Sequence, residues 1–377
     1  MERYVLVPDS FKGTLSSEEI CAILQEEILR VKPNAEALAF PVADGGEGSV
    51  DAFLTAVGGK KIYVPCHGPY MEKMVGFYGM LPDGTAVIEM AAAAGLPLVG
   101  DRLEIGRTST YGVGELMVAA AEKGAKHIIL GLGGSATNDG GCGAAAALGV
   151  RFLDEAGEEF LPTGGNLNRL CRIDMRGQKA LPEVTVMCDI DNPLCGPNGA
   201  SAVFGPQKGA TPEMVPLLDN NLRHFASVIS ASLGIEIVDL PGAGAAGGMG
   251  GGAVAFWNGH LKMGIEAMLD TVNFDTVVKG ARLVFTGEGR LDGQSIHGKV
   301  VAGVARRAKA AGVPVVAVVG AVGNGADDIY DLGVCGVFTT NHAPEPFEVA
   351  KMKSRDNLRR TARNLMGFLC ATEGYHG

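Results

Sequence analysis

The feature that most constrains this chain is a glycine-dense loop, Gly131-Leu-Gly-Gly-Ser-Ala-Thr-Asn-Asp-Gly-Gly141. It lies between the apolar run His127-Ile-Ile-Leu130 and an alanine-rich segment that begins at Cys142. Glycines let backbone N–H groups crowd a ligand without side-chain interference, and a helix that follows turns its positive end toward an anion. The stretch therefore reads as strand, loop and helix around a phosphate or carboxylate. It also satisfies a dinucleotide fingerprint, Gly131-x-Gly133-x-x-Ala136, with Asp154 after a second apolar run at residues 150–153 as the ribose ligand. A nicotinamide-dependent oxidoreductase is thus one reading.

At 377 residues, the chain exceeds what one hydrophobic core usually serves, so two domains are expected. A net charge of −10 argues against nucleic acid or an anionic membrane as main partner, because both need a basic face. An anionic ligand must then be held locally, by backbone N–H groups, a few Lys or Arg, or a metal. The eight cysteines show no C-x-x-C and no ligand-like pairing with histidine, which points to reduced thiols and a cytoplasmic protein. The N-terminus runs directly into an apolar strand and does not resemble a signal peptide. The long uncharged run at 240–261 contains Pro241 and many glycines, and reads as a loop and helix rather than a membrane span.

Along the chain, Tyr4-Val-Leu-Val-Pro8 is a buried strand, and Ser16-x-x-Glu19 opens a helix as a capping box. A second strand at 35–42 ends in Ala43-Asp44-Gly-Gly-Glu-Gly48. From Lys60 the pattern changes to strands joined by the tight turn Pro82-Asp-Gly84, which implies antiparallel pairing. After Arg282 the β-loop-α pattern returns, through Thr286-Gly-Glu-Gly-Arg-Leu-Asp292. The expected fold is α/β. A Rossmann-like parallel-sheet domain is formed by both chain ends, 1–65 and 281–377, and a mixed α/β domain at 66–280 is inserted between them, with the site in the cleft.

No Walker A sequence and no protein-kinase H-R-D set occurs. The parts for phosphoryl transfer are nevertheless present. A second glycine loop at 241–252 contains Gly247 and Gly248, Lys12 and Lys299 supply charge, and strand-end acids Asp9, Asp44, Asp189, Asp191, Glu288 and Asp292 offer ligands for Mg²⁺ or acceptors for a proton. Lys299 stands at a predicted helix start, where a cation is unfavourable unless an anion is near.

Five motifs, Pro8-Asp-Ser-Phe-Lys-Gly-Thr14, Ala43-Asp-Gly-Gly-Glu-Gly48, the 131–141 loop, Cys188-Asp-Ile-Asp-Asn-Pro193 and Thr286-Gly-Glu-Gly-Arg-Leu-Asp292, resemble the bacterial glycerate kinases of the type I class, in order and over essentially the whole chain. The resemblance implies an ATP-dependent kinase for D-glycerate, with phosphorylation at the C2 hydroxyl and the C3 hydroxyl as the alternative. On that basis Asp189 orients or deprotonates the hydroxyl. Asp191 or Asp44 positions Mg²⁺-ATP, and Lys12 neutralises the transferring phosphate. Gly133, Gly134, Ser135 and Thr137, with Gly247, Gly248 and Lys299, bind nucleotide phosphates. Ser10, Asp44 and Arg290 bind substrate, since Arg suits bidentate contact with a carboxylate. A small-molecule substrate is the expected partner, and a homo-oligomer is left open.

Three competitors remain at this point. The oxidoreductase needs Asp154 on a ribose. An aspartyl-phosphate hydrolase would use Asp189-Ile-Asp191 but meets Pro193 where that family has Thr or Val. A non-catalytic sugar-acid sensor would have no need of so many strand-end acids.

Overall fold

The computed structural model describes residues 1–42, 45–293, 295 and 299–373. The chain divides into two compact units, one made of Met1–Ala43, Thr55–Val57 and Ile265–Gly377, the other of Asp44–Leu54 and Gly58–Gly264.

The first unit carries a five-stranded, all-parallel sheet in the order Val334–Thr339, Val315–Val319, Leu283–Gly287, Arg3–Pro8, Glu36–Ala39. These strands are near-continuous runs of Val, Leu and Phe because helices cover a parallel sheet on both faces. The Ser17–Val31 helix starts where Ser16 takes the Glu19 N–H and Glu19 returns the bond to the Ser16 N–H, so the capping box is present. Its Ile20, Leu24 and Ile28 are buried with Tyr4, Leu6 and Phe285. Glu27 on the same helix is 1% exposed and is clasped by Arg30 at 2.7 Å, Arg363 at 3.3 Å and Arg359 at 3.5 Å, which ties that helix to Ser354–Glu373. The connection from Arg3–Pro8 leads to Glu36–Ala39 on one side, whereas the connection from Leu283–Gly287 leads to Val315–Val319 on the other. Where neighbouring connections run in opposite directions, the exits of the two strands, here Arg3–Pro8 and Leu283–Gly287, are the usual ligand position in such sheets.

The second unit is built on a mixed six-stranded sheet, ordered His260–Lys262, Glu183–Met187, His127–Gly131, Thr85–Glu89, Lys73–Met80, Lys60–His67. The first four strands are parallel; Lys73–Met80 runs antiparallel to Thr85–Glu89 around the turn at Gly84, and Lys60–His67 runs antiparallel to Lys73–Met80. Val113, Leu116, Met117 and Ala120 of the Tyr111–Glu122 helix pack on Tyr78, Ile88, Ile128 and Leu130.

The units divide at other positions than the expected 65/66 and 280/281. Lys60–His67 pairs along its whole length with Lys73–Met80, which draws it into the second unit. At the other end, Arg307 reaches Glu266 at 3.3 Å, Asp270 at 2.7 Å and Asp275 at 2.8 Å, which binds the segment after Gly264 to the first unit. Among the described residues, no helix is long and apolar enough to cross a membrane.

Candidate active site

The 131–141 loop follows the His127–Gly131 strand as expected, but its glycines serve two different ends. A Cβ on Gly131 would stand 2.4 Å from the Gly45 carbonyl oxygen, and one on Gly133 would stand 2.5 Å from the Gly46 Cα. The Gly133 N–H is taken by the Gly45 carbonyl at 2.9 Å. These two glycines therefore admit another stretch of backbone. Gly134 is exposed with φ +72°, and it leads into Ser135 at the wall of a cavity.

That cavity, about 260 Å³, lies within the second unit and is lined by Gly133, Gly134, Ser135, Asp189, Lys208 and Ala246 among others. Asp189 follows the Glu183–Met187 strand, and its Oδ1 accepts the Gly264 N–H at 2.7 Å. Asp191 is exposed and is not part of the cavity wall. Thr137 is fully buried; its carbonyl faces Lys208, and its hydroxyl has no hydrogen-bond partner.

Lys208 went unnoticed in the sequence. It ends the short turn Pro206–Lys208, is 3% exposed, and donates from Nζ to Ser135 Oγ at 2.7 Å and to the Thr137 carbonyl at 2.8 Å. Burial pulls its ammonium down to about 7, with the charge of Asp139 acting in the opposite sense. The only local signal was a lysine bracketed by Gly205 and Gly209, which has no periodicity to mark it as buried.

Asp139 is also fully buried, and its carboxylate accepts from the Thr110 N–H and hydroxyl at 2.8 and 2.9 Å and from the Gly141 and Gly143 N–H groups at 3.2 Å. Burial raises its pKa against those four donors. Glu89, 2% exposed, accepts the Val50 N–H at 2.6 Å.

Gly247 and Gly248 pack against the first loop. They stand with Ala246 in left-handed conformation inside Ala245–Trp257. The Gly247 carbonyl accepts the Gly140 N–H at 3.0 Å, and a Cβ on Gly247 would lie 2.0 Å from the Thr137 carbonyl oxygen. Both are buried, and the structure gives them to the loop's backbone rather than to open space.

The remaining candidates lie at the strand exits of the first unit. Asp9 Oδ1 accepts the Ser10 N–H at 2.7 Å, and the Asp9 N–H bonds the Gly287 carbonyl at 2.8 Å, so the two central strand ends are joined. A Cβ on Gly289 would lie 3.4 Å from the Lys12 nitrogen, which places the Lys12 backbone beside the Glu288 loop. Arg290 is largely exposed and reaches Asp292 at 3.5 Å. Lys299 is exposed at the N-cap of Val300–Ala310, and the anion its position asked for is Glu288, whose carboxyl it stabilises in the charged form. Asp44 lies outside the described residues.

Glu288 is 6% exposed, and its Oε1 has no partner. Burial pushes its carboxyl up to about 7; Ser295 and Lys299 pull down, and Asp9 and Asp292 push up. In the window from the unfolded value of 4.5 to about 7 the folded state holds the extra proton, so this group's stabilisation is complete below 4.5 and fades as pH rises through 7. Glu288→Gln should remove a decline on the order of 3 kcal/mol between pH 4.5 and 8, read as the difference between two urea-unfolding series. Parallel pH profiles for the two proteins would contradict this placement.

The dinucleotide reading fails on topology. Arg151–Leu153 pairs antiparallel with Arg172–Asp174 in a separate two-stranded sheet and does not lie parallel beside His127–Gly131. Asp154 is bound by Arg169 at 2.9 Å and by the Ala156 and Glu158 N–H groups.

Comparison with known proteins gives a concordant result. Residues 4–370 match the profile of the glycerate kinase family. The chain is 44% identical over 368 residues to the glycerate kinase of Bacillus subtilis (strain 168), covering 96% of each. It is 43% identical over 372 residues to the glycerate 2-kinase of Escherichia coli (strain K12), covering 97% of this chain and 98% of that protein. A crystal structure of a Salmonella typhimurium LT2 protein assigned as glycerate kinase 2 superposes with a TM-score of 0.87 at 41% identity, over 99% of each chain.

Proposed function

The chain belongs to the glycerate kinase family, and from that premise we propose that it transfers the γ-phosphoryl group of ATP to the C2 hydroxyl of D-glycerate, giving 2-phosphoglycerate and ADP. The observation that carries this reading is the likeness along the whole chain, which includes a relative named for 2-kinase activity. In the reaction the C2 oxygen forms a bond to the γ-phosphorus, the bond from that phosphorus to the β–γ bridging oxygen breaks, and the hydroxyl proton passes to a carboxylate. Phosphoryl transfer asks chiefly for positioning and neutralised charge.

In the second unit, Asp189 accepts the hydroxyl proton, and Gly134 and Ser135 present the loop to a phosphate. Thr137 supports the loop, as do Gly247 and Gly248 by packing against it. In the first unit, Lys12 and Lys299 supply positive charge, and Ser10 and Arg290 hold the glycerate carboxylate. Mg²⁺ takes one or two carboxylates together with phosphate oxygens and waters. Among the described residues, no three His, Cys, Asp or Glu side chains gather as a metal cage. Asp191 is the described carboxylate assigned to Mg²⁺, with Asp44 as the second. Bound there, the cation would offset charge on the phosphates.

Glu288 supports a second assignment of the proton acceptor. Its unpartnered, buried Oε1 and a carboxyl near neutrality are the properties of a general base. The eight cysteines are all unpaired, which supports a cytoplasmic location. ADP release that requires both D-glycerate and Mg²⁺-ATP is the expected assay result, and ADP release indifferent to glycerate would overturn the reading.

A further inference from the structure

A lysine buried as deeply as Lys208 is rare, because an ammonium removed from water is costly unless a countercharge meets it. Here both hydrogen bonds from Nζ go to neutral acceptors, the Ser135 hydroxyl and the Thr137 carbonyl. The carboxylate that influences it, Asp139, is already committed to four donors of the 110 and 141–143 segments. An ammonium carries three N–H groups, so two neutral acceptors leave its hydrogen bonding and its charge incompletely answered. The same residue lines the 260 Å³ cavity, together with Gly134, Ser135 and Asp189.

We propose that Lys208 is the anion-holding group of this cavity: fixed by Ser135 and Thr137, it gives its remaining N–H to a phosphate or carboxylate oxygen of a bound reactant. The assignment rests on the kinase reading for the identity of that reactant, a nucleoside triphosphate or a hydroxy acid. It gives the burial of Lys208 a purpose that packing alone does not supply, since a methylene side chain would fill the space without the desolvation cost. It also couples binding to a proton. With its ammonium brought down to about 7, part of the ligand-free protein holds Lys208 neutral at physiological pH, and an arriving anion restores the proton. Of the titratable groups at the site, Asp139 favours the ammonium, and Cys188 and Asp189 line the same cavity.

The test is isothermal titration of the full chain at pH 7.5 in buffers of different ionisation enthalpy, with Mg²⁺ and a non-hydrolysable ATP analogue in one arm and D-glycerate alone in the other. Wild type should take up a substantial fraction of a proton in one arm, which identifies whether phosphate or carboxylate is the anion. Lys208→Arg, permanently charged, should keep binding and lose the uptake. The Kd for the same ligand should rise toward tenfold per pH unit above 7.5 in wild type and stay flat in Lys208→Arg. Lys208→Met should weaken that ligand at every pH, with its fold checked by thermal unfolding. Equal proton uptake in wild type and Lys208→Arg, or none in either arm of the wild type, would overturn the proposal. Turnover of glycerate measured on the same samples separates the two readings, because a working kinase without the proton linkage removes only the role of Lys208.

Discussion

Replacing Gly247 with alanine should destabilise the second unit by about 3 kcal/mol or more, far more than the same change at Gly157. Both glycines have positive φ, +67° and +79°, so an L side chain is strained at each by about 1–2 kcal/mol. They differ in what a methyl group meets. At Gly157 nothing lies within 4 Å, whereas at Gly247 the new carbon would sit 2.0 Å from the Thr137 carbonyl oxygen and 2.5 Å from the Asn138 Cα. Backbone cannot give way as a flexible side chain can, and overpacking of this kind adds about 1–3 kcal/mol. Because the displaced atoms belong to the loop that holds Lys208, activity should fall with stability. Urea unfolding of the two variants beside wild type measures the difference, and equal losses at both positions would show that the loops do not bear on one another.

Asp189→Asn carries the largest expected effect on rate. The amide oxygen can still accept the Gly264 N–H at the 2.7 Å position, so the fold should survive. It cannot take a proton from a hydroxyl, and removal of a general base lowers kcat by about 10²–10⁴. Nucleotide should still protect the variant against thermal unfolding, since Gly134, Ser135 and Lys208 are untouched. A kcat within a few-fold of wild type would end the assignment of Asp189 and move it to Glu288. A raised KM for glycerate at unchanged kcat would leave Asp189 a binding role only.

Much of this account was legible in the residues. The strand at 4–8, the capping box at Ser16, the return of β-loop-α units after Arg282 and the antiparallel turn at Gly84 each have local signatures, and each is present. A glycine loop, however, reads the same whether it admits a phosphate or another stretch of chain. Gly131, Gly133 and Gly247 turned out to meet backbone, and Gly134 stands open beside the cavity. The apolar run before Asp154 fitted the dinucleotide fingerprint because its composition does not encode its partner; pairing with Arg172–Asp174 is a long-range choice. Lys208 was invisible for another reason. Its burial is set by how the Pro206–Lys208 turn meets the Ser135 loop, and no pattern of neighbours in sequence records that. The acids at 9 and 288 could be placed at strand exits, but the unpartnered Oε1 that singles out Glu288 requires coordinates.

The most direct test of the central claim is a ³¹P NMR time course of the protein with Mg²⁺-ATP and D-glycerate. Growth of the 2-phosphoglycerate resonance in step with ADP is the expected result. A 3-phosphoglycerate resonance would contradict phosphorylation at C2, and the absence of any new phosphoester would contradict the kinase reading itself.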